Sequence, residues 1–250
     1  MRLALLLALV SLTASAGGPA EGTALSLAQL PIPASARSLG FARYVASLNR
    51  TARPAEWQTV AIEIEASLPG LAKQGRLQAI RRSGTSGCVE YQVLHLDGDS
   101  IVKQQVIARY LTAEKEAEAM PKASLAVSPA NYKFRYVGSI ASAGTLVYIY
   151  RVNPRKKRAG LMEGQLWIDA ATGLAVHQDG RLVKKPSIFV RGVELVRDTR
   201  LRDGAPYQQT TRVTIDTRLV GRADLTIREY PYTDSEPVVA ALNSSTGVRP

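Results

Sequence analysis

Two strands that fold back on each other between residues 206 and 229 constrain this 250-residue chain more than any other feature. Val213 and Ile215 alternate with polar residues in the first strand, and Leu225 and Ile227 do so in the second. A period of two over this length gives a sheet one apolar face and one solvated face. The apolar face must therefore be covered by another part of the chain.

The second half of the chain repeats this kind of unit as a meander. The connections are short and rich in Gly, Pro, Asn and Asp, so consecutive strands can pair only antiparallel, because a parallel return needs a crossover of a dozen residues or more. Roughly ten strands exceed what a flat sheet tolerates, so we expect the sheet to curl toward a barrel. The strands are predicted near 57–66, 75–82, 88–96, 132–137, 146–152, 164–169, 174–183, 188–201, 207–220 and 223–229.

Two segments are candidates for the cover. Residues 35–49 place apolar side chains at helical spacing after a capping Ser35, which predicts an amphipathic helix. Residues 101–119 favour a second helix, although a strand can also be drawn through 101–110, and residues 120–130 are predicted to form a loop. We therefore predict a mainly β (α+β) fold, in which a curved antiparallel sheet forms an unclosed barrel and two helices cover its concave side.

Both helices are short of large apolar groups, which leaves an apolar cavity in the predicted fold. Cavities of this kind hold lipids or other apolar ligands. Trp167 and Phe189 are candidates to line it, although aromatic residues at inward strand positions are usually ordinary core.

The N-terminus has the pattern of an export signal. An apolar run from Leu3 to Val10 is followed by Ala14-Ser15-Ala16, which has the form of a signal-peptidase site. We expect cleavage near Ala16 and a periplasmic mature protein, with a retained anchor as the alternative. The predicted organisation is a signal peptide at 1–16, a flexible leader at 17–34, a single domain at 35–230 and a disordered tail at 231–250.

The single cysteine, Cys88, cannot form an intramolecular disulfide and is expected to be a small buried filler beside Val89. No metal or catalytic motif is recognised. His95 and His177 lack further ligands at metal-binding spacing, and Asp97 and Asp99 lack the alternating oxygen ligands of a calcium loop. The segment 84–88 lacks the pattern of a nucleophile elbow. The chain is therefore predicted not to be an enzyme and to need no cofactor.

The formal net charge is +11, which could suit nucleic acid, an anionic membrane surface or an acidic partner. Export makes nucleic acid the least expected of these. The one cationic cluster lies in a turn between two strands and consists of Arg155, Lys156, Lys157 and Arg158. It is either a solvated tip that discourages edge aggregation or a basic finger that contacts lipid phosphates or an acidic envelope protein.

Three further segments carry a resemblance to known proteins. They are Gly160 to Leu174, with its Trp-Ile-Asp-x-x-Thr-Gly unit, the run from Gly180 through Ser187, and Asp216 to Gly221. They resemble an uncharacterised exported bacterial family that is in turn similar to the LolA/LolB-like superfamily of outer-membrane lipoprotein carriers. The resemblance covers about 55–230 and implies an unclosed antiparallel barrel plugged by helices. No ligand-contacting residue carries over from it.

The favoured function is thus a periplasmic carrier that holds the acyl chains of a lipid or lipoprotein in the half-barrel. The alternative is a protein-binding module, such as an envelope-stress sensor or an assembly adaptor without a lipid ligand.

Overall fold

The computed structural model describes residues 33–51, 57–84, 88–142, 145–218 and 221–232. The predicted signal peptide, nearly all of the predicted leader, and the tail from 233 onward lie outside the described residues. Among the described helices, none combines the length and the apolar character needed to cross a bilayer.

The described strands form one antiparallel sheet of ten strands that does not close on itself. Its spatial order is β3-β2-β1-β10-β9-β8-β7-β6-β5-β4, so β3 and β4 are the two edges. The predicted fold class and meander are therefore confirmed. The strands are β1 (Trp57–Leu68), β2 (Lys73–Gly84), β3 (Val89–Gly98), β4 (Tyr132–Ser142), β5 (Thr145–Pro154), β6 (Met162–Asp169), β7 (Ala175–Leu182), β8 (Val190–Arg202), β9 (Ala205–Thr217) and β10 (Arg222–Pro231).

Strand register separates a concave face, which the helices cover, from an outer face. Ile64 of β1 lies opposite Leu77 of β2 and Ile227 of β10, and all three are buried on the concave face. The neighbouring residue Glu63 lies opposite Arg228 on the outer face. The period of two in the sequence thus sorts the side chains of each strand between the two faces.

The helices are α1 (Ala34–Thr51), α2 (Ser100–Val102), α3 (Ala108–Glu118) and α4 (Lys122–Leu125). A π-helical turn, Lys103–Ile107, joins α2 to α3, so the segment 101–110 is helical and not a strand. Asp99 caps it by accepting a hydrogen bond from the backbone N–H of Ile101 at 2.8 Å. The predicted loop at 120–130 is corrected by α4, a single short turn that buries Leu125.

The concave face carries two apolar cores. The first, the α3 core, packs α2 and α3 on the end of the sheet made by β1, β2 and β8–β10. The second, the α1 core, packs α1 and Leu125 on β4–β6. Helical and strand side chains bury one another in both, so the expected apolar vacancy is filled at these places by the chain's own residues.

Cys88 is exposed, which corrects the prediction that it is a buried filler. It lies just before β3, where its carbonyl accepts a hydrogen bond from the backbone N–H of Gly84 at 2.9 Å. This bond joins the end of β2 to the residue before β3, and the side chain of Cys88 is exposed to solvent.

Candidate functional site

The α1 core is a stack of aromatic rings between a helix and the sheet. Phe41 of α1 lies 5.0 Å from Phe134 of β4 and 5.5 Å from Tyr150 of β5, measured between ring centroids. Tyr136 adds a further ring 5.6 Å from Tyr150. These tilted and edge-to-face pairs bury large apolar ring surfaces against one another. The strand side of this stack is called the aromatic wall (Phe134, Tyr136, Tyr148 and Tyr150).

Helix α1 approaches the aromatic wall most closely at Gly40. A methyl group placed there would lie only 2.2 Å from Cε2 of Tyr148. Only a glycine allows the helix to seat at this depth, since any larger side chain must push either the ring or the helix away. A substitution at Gly40 therefore tests how closely α1 packs against the aromatic wall.

Hydrogen bonds rather than charges tether α1. Tyr44 donates its hydroxyl to the carbonyl of Val127 at 2.6 Å, and Arg43 donates to the carbonyl of Ala170 at 2.7 Å. The Arg37 guanidinium lies 4.9 Å over the ring of Tyr136. Among the described residues, α1 makes no ion pair. Burial of the Tyr44 side chain raises the pKa of its hydroxyl well above the ordinary range, so it remains a neutral donor.

A groove of about 360 Å³ runs along the exposed side of α1. It lies between the helix, the start of β5 and the turn that joins β6 to β7, and its lining includes Leu39, Gly40, Arg43, Leu146, Tyr148 and Ala170. The groove is mixed in polarity, and Tyr148 connects its floor to the aromatic wall.

Helix α3 is held differently, through a buried ionic network. Arg81 of β2 pairs with Glu114 of α3 and with Glu229 of β10, the latter at 2.8 Å. Tyr91 of β3 donates its hydroxyl to Glu114 at 2.5 Å. Burial raises the pKa of the Glu229 carboxyl, and the nearby Glu114 charge acts in the same direction while Arg81 opposes it. Burial likewise raises the pKa of Tyr91 and Tyr110 well above the usual phenol range.

The network continues across the concave face onto β9 and β8. Gln209 of β9 donates to Glu229 at 2.9 Å, and the buried Arg197 of β8 donates to Thr211 at 3.2 Å. Burial lowers the pKa of Arg197. These residues form a buried polar belt on the concave side of β2, β8, β9 and β10, and α3 is bonded into that belt.

Sequence reasoning missed this belt, although a signal for it exists. Arg81 and Glu229 stand in phase with apolar residues of their own strands, Ala79 and Ile227 respectively. Charged residues on the apolar side of a strand must be paired when they are buried. The sequence does not show which residues pair with Arg81 and Glu229.

The residues predicted to line a cavity lie apart from each other. Trp167 of β6 is on the outer face, where its ring lies 4.7 Å from His177, which in turn contacts Asp198 at 2.6 Å. Phe189 is half-buried just before β8, and its carbonyl accepts from the backbone N–H of Arg218 at 2.9 Å. Neither belongs to the aromatic wall, and their role in binding stays a prediction.

The cationic turn between β5 and β6 divides into two pairs. Arg155 donates to the carbonyl of Pro129 at 2.8 Å, and Arg158 donates to the side chain of Asn131 at 2.7 Å. Lys156 and Lys157 are exposed. The arginines therefore fasten the turn to the loop after α4, and the lysines are presented to solvent.

The described residues contain no group of three or more His, Cys, Asp or Glu side chains that could hold a metal ion.

Solved structures resemble this chain at low sequence identity. A LolA superfamily protein from Nitrosomonas europaea is 10% identical, with a TM-score of 0.36, over 77% of this chain and 94% of that one. A DUF1329 family protein from Desulfovibrio piger is 11% identical, with a TM-score of 0.36, over 83% and 98%. A domain assigned to outer membrane lipoprotein sorting in Vibrio parahaemolyticus is 10% identical, with a TM-score of 0.32, over 80% and 97%.

No family model and no curated protein matches the chain.

Proposed function

We propose that this chain is a periplasmic carrier that binds the acyl chains of a lipid or lipoprotein between α1 and the aromatic wall. The observation that carries the proposal is the unequal attachment of the two helical covers. Helix α3 is bonded to the sheet by buried charges, whereas α1 is held by hydrogen bonds and ring contacts. Helix α1 is therefore the cover that can lift.

Lifting α1 would create the space that a ligand needs. The rings of Phe134, Tyr148 and Tyr150 lie beneath the helix and would present a continuous apolar surface to the incoming chain. An acyl chain gains about 0.8 kcal/mol for each methylene group that it buries there, which offsets the lost contacts of Phe41 and Tyr44. Ligand and helix thus compete for one surface.

The proposal that α1 acts as a lid, lifting from the aromatic wall to admit a ligand, is tested by placing a bulky side chain at Gly40. In Gly40→Leu, the new side chain must displace α1 from Tyr148, so cis-parinaric acid should enter and leave faster than in the wild-type chain. Amides of α1 should also exchange hydrogen for deuterium faster, while those of α3 are unchanged. Native mass spectrometry of wild-type protein purified without detergent should show a bound lipid.

Gly70→Leu is the matched control, because a side chain at Gly70 meets nothing within 4 Å. Far-UV circular dichroism checks that the sheet survives in both variants. If no lipid copurifies and cis-parinaric acid exchanges at one rate in wild type, Gly40→Leu and Gly70→Leu, the chain is not a carrier of this kind.

A protein-binding module is the second candidate, and the edge strand β3 favours it. Val93, Leu94 and Leu96 are 53%, 41% and 46% exposed on that strand. Exposed apolar residues on an unpaired edge can accept an added strand from a partner. An empty protein that captures a defined envelope partner through β3 would support this function instead.

A further inference from the structure

The outer face of the β4–β5 hairpin is densely cationic. Lys133 and Arg135 of β4 and Arg151 of β5 are exposed there, and the turn after β5 adds Lys156 and Lys157. These five residues are called the cationic face. It extends the predicted basic turn onto the sheet itself.

Within the cationic face, two like charges are placed directly opposite each other. Arg135 and Arg151 are register partners across the antiparallel strands, and both point away from the aromatic wall. Like charges at directly opposed positions destabilise a sheet. Folding alone gives no reason to place them together.

Ion pairs do not relieve this repulsion. No described carboxylate lies within ion-pair distance of any of the five side chains. Glu163 and Asp179 share a groove of about 370 Å³ with Arg151, but Glu163 pairs with Arg181 at 2.8 Å. Asp179 accepts a hydrogen bond from the backbone N–H of Gln165 at 3.0 Å.

Several arginines elsewhere on the outer face form ion pairs with acidic neighbours. On β10, Arg228 pairs with Glu65 at 3.0 Å and Arg222 with Asp224 at 2.8 Å. On β9, Arg212 pairs with Asp198 at 2.5 Å. The cationic face is therefore a local departure from how this sheet arranges its charges, and not simply a consequence of the net charge of +11.

We propose that the cationic face docks the protein on anionic phospholipid headgroups at a membrane surface. Its charges are spread over two strands and a turn, which suits a plane of many phosphates better than one acidic group. Ile149 and the half-exposed Trp167 are register partners on the same outer face, next to Arg151 along β5. Basic residues beside an interfacial tryptophan are typical of surfaces that rest on lipid headgroups.

This docking adds a membrane contact to the proposed carrier function and does not depend on the lid. Arg155 and Arg158 hold the turn in place, and the exposed lysines make the contact. Different residues hold the turn in place and contact the membrane, so these two roles can be tested by different substitutions.

Flotation with vesicles tests the proposal on the full chain. Wild-type protein should float with phosphatidylglycerol–phosphatidylcholine vesicles at low salt, and the fraction bound should fall as salt is added. Each cation near such a surface strengthens binding about fivefold, so Arg135→Gln/Arg151→Gln and Lys156→Gln/Lys157→Gln should each weaken binding about 25-fold. Pure phosphatidylcholine vesicles measure any charge-independent binding.

Arg82→Gln/Arg109→Gln is the control, since it removes two exposed cations that lie outside the cationic face. Equal loss in this control, or no binding of the wild type to anionic vesicles, overturns the proposal. If polyglutamate is bound through the same four residues while vesicles are not, the partner is an acidic protein and the membrane proposal is wrong. Copurifying lipid is measured separately, so failure of docking and failure of the carrier function give different results.

Discussion

Arg81 shows how one side chain ties an otherwise separate helix to the sheet. It lies on the concave side of β2 and reaches a carboxylate of α3 and another of β10. Buried ion pairs gain little net stability over an apolar core, but removal of one partner leaves an uncompensated buried charge. The attachment of α3 thus depends on a residue whose removal is expected to destabilise the fold strongly.

Arg81→Met should lower the free energy of unfolding by about 3–5 kcal/mol, because Glu114 and Glu229 lose their shared cation. Urea unfolding followed by circular dichroism measures the change. Arg82→Met is the matched control, since the adjacent residue is exposed on the opposite face and its loss should leave stability nearly unchanged. Equal effects of the two substitutions would show that the network does not hold the fold.

Glu229 should make stability depend on pH. Its pKa is raised by burial above the ordinary value of 4.5, so folding favours its protonated form. Its contribution to the free energy of unfolding is fully present below pH 4.5 and is lost as pH rises through the raised pKa. Relative to Glu229→Gln, the wild-type chain should therefore lose stability as the pH rises above 4.5 and through the raised pKa of Glu229. Urea unfolding at a series of pH values measures this, and a difference that stays constant contradicts it.

At the scale of elements, the two long helices and the edge strand β3 differ in what they contact. Helix α3 packs into the α3 core, and α1 covers the aromatic wall on which we propose that an acyl chain binds. The edge strand β3 keeps apolar side chains in solvent, as Val93 and Leu96 show. Unpaired edges with apolar side chains promote association between copies of a chain.

Val93→Lys should reduce self-association at high protein concentration, because it places a charge on the exposed concave side of β3. The free energy of unfolding should change by no more than about 0.5 kcal/mol, as expected for a surface position. Sedimentation velocity over a concentration series measures the association. Gln92→Lys adds the same charge to the opposite side of the strand, and an equal reduction there would assign the effect to net charge alone.

At the scale of the whole molecule, the open sheet organises every functional feature. Ten strands curl far enough to enclose two helical covers but leave β3 and β4 unpaired with each other. The interior holds the α3 core, where the polar belt bonds α3 to the sheet, and the α1 core, which α1 covers. The cationic face lies on the outer side of β4 and β5, so the proposed ligand contact and the proposed membrane contact use opposite sides of these strands.

Much of this architecture could be predicted from local pattern. The alternation of Val213 and Ile215 with polar residues predicted β9, and the short connections predicted the antiparallel order of its neighbours. The residues of the candidate functional site were harder to predict from the sequence. Trp167 was a reasonable candidate for the interior because it is large and aromatic, yet its place next to Leu166 on the strand puts it on the outer face.

The sequence alone determined the strands, the antiparallel pairing of strands that short connections join, and the charge of the basic turn, because these follow from neighbours a few residues apart. Only the tertiary structure decided that β1 pairs with β10. The same holds for the contacts of Arg81 with Glu114 and Glu229, and for Arg135, which faces Arg151 without a carboxylate between them. The tertiary structure also decided that Cys88 is exposed. Such contacts depend on register, curvature and helix placement, which are set by the packing of the whole chain and not by any one segment of it.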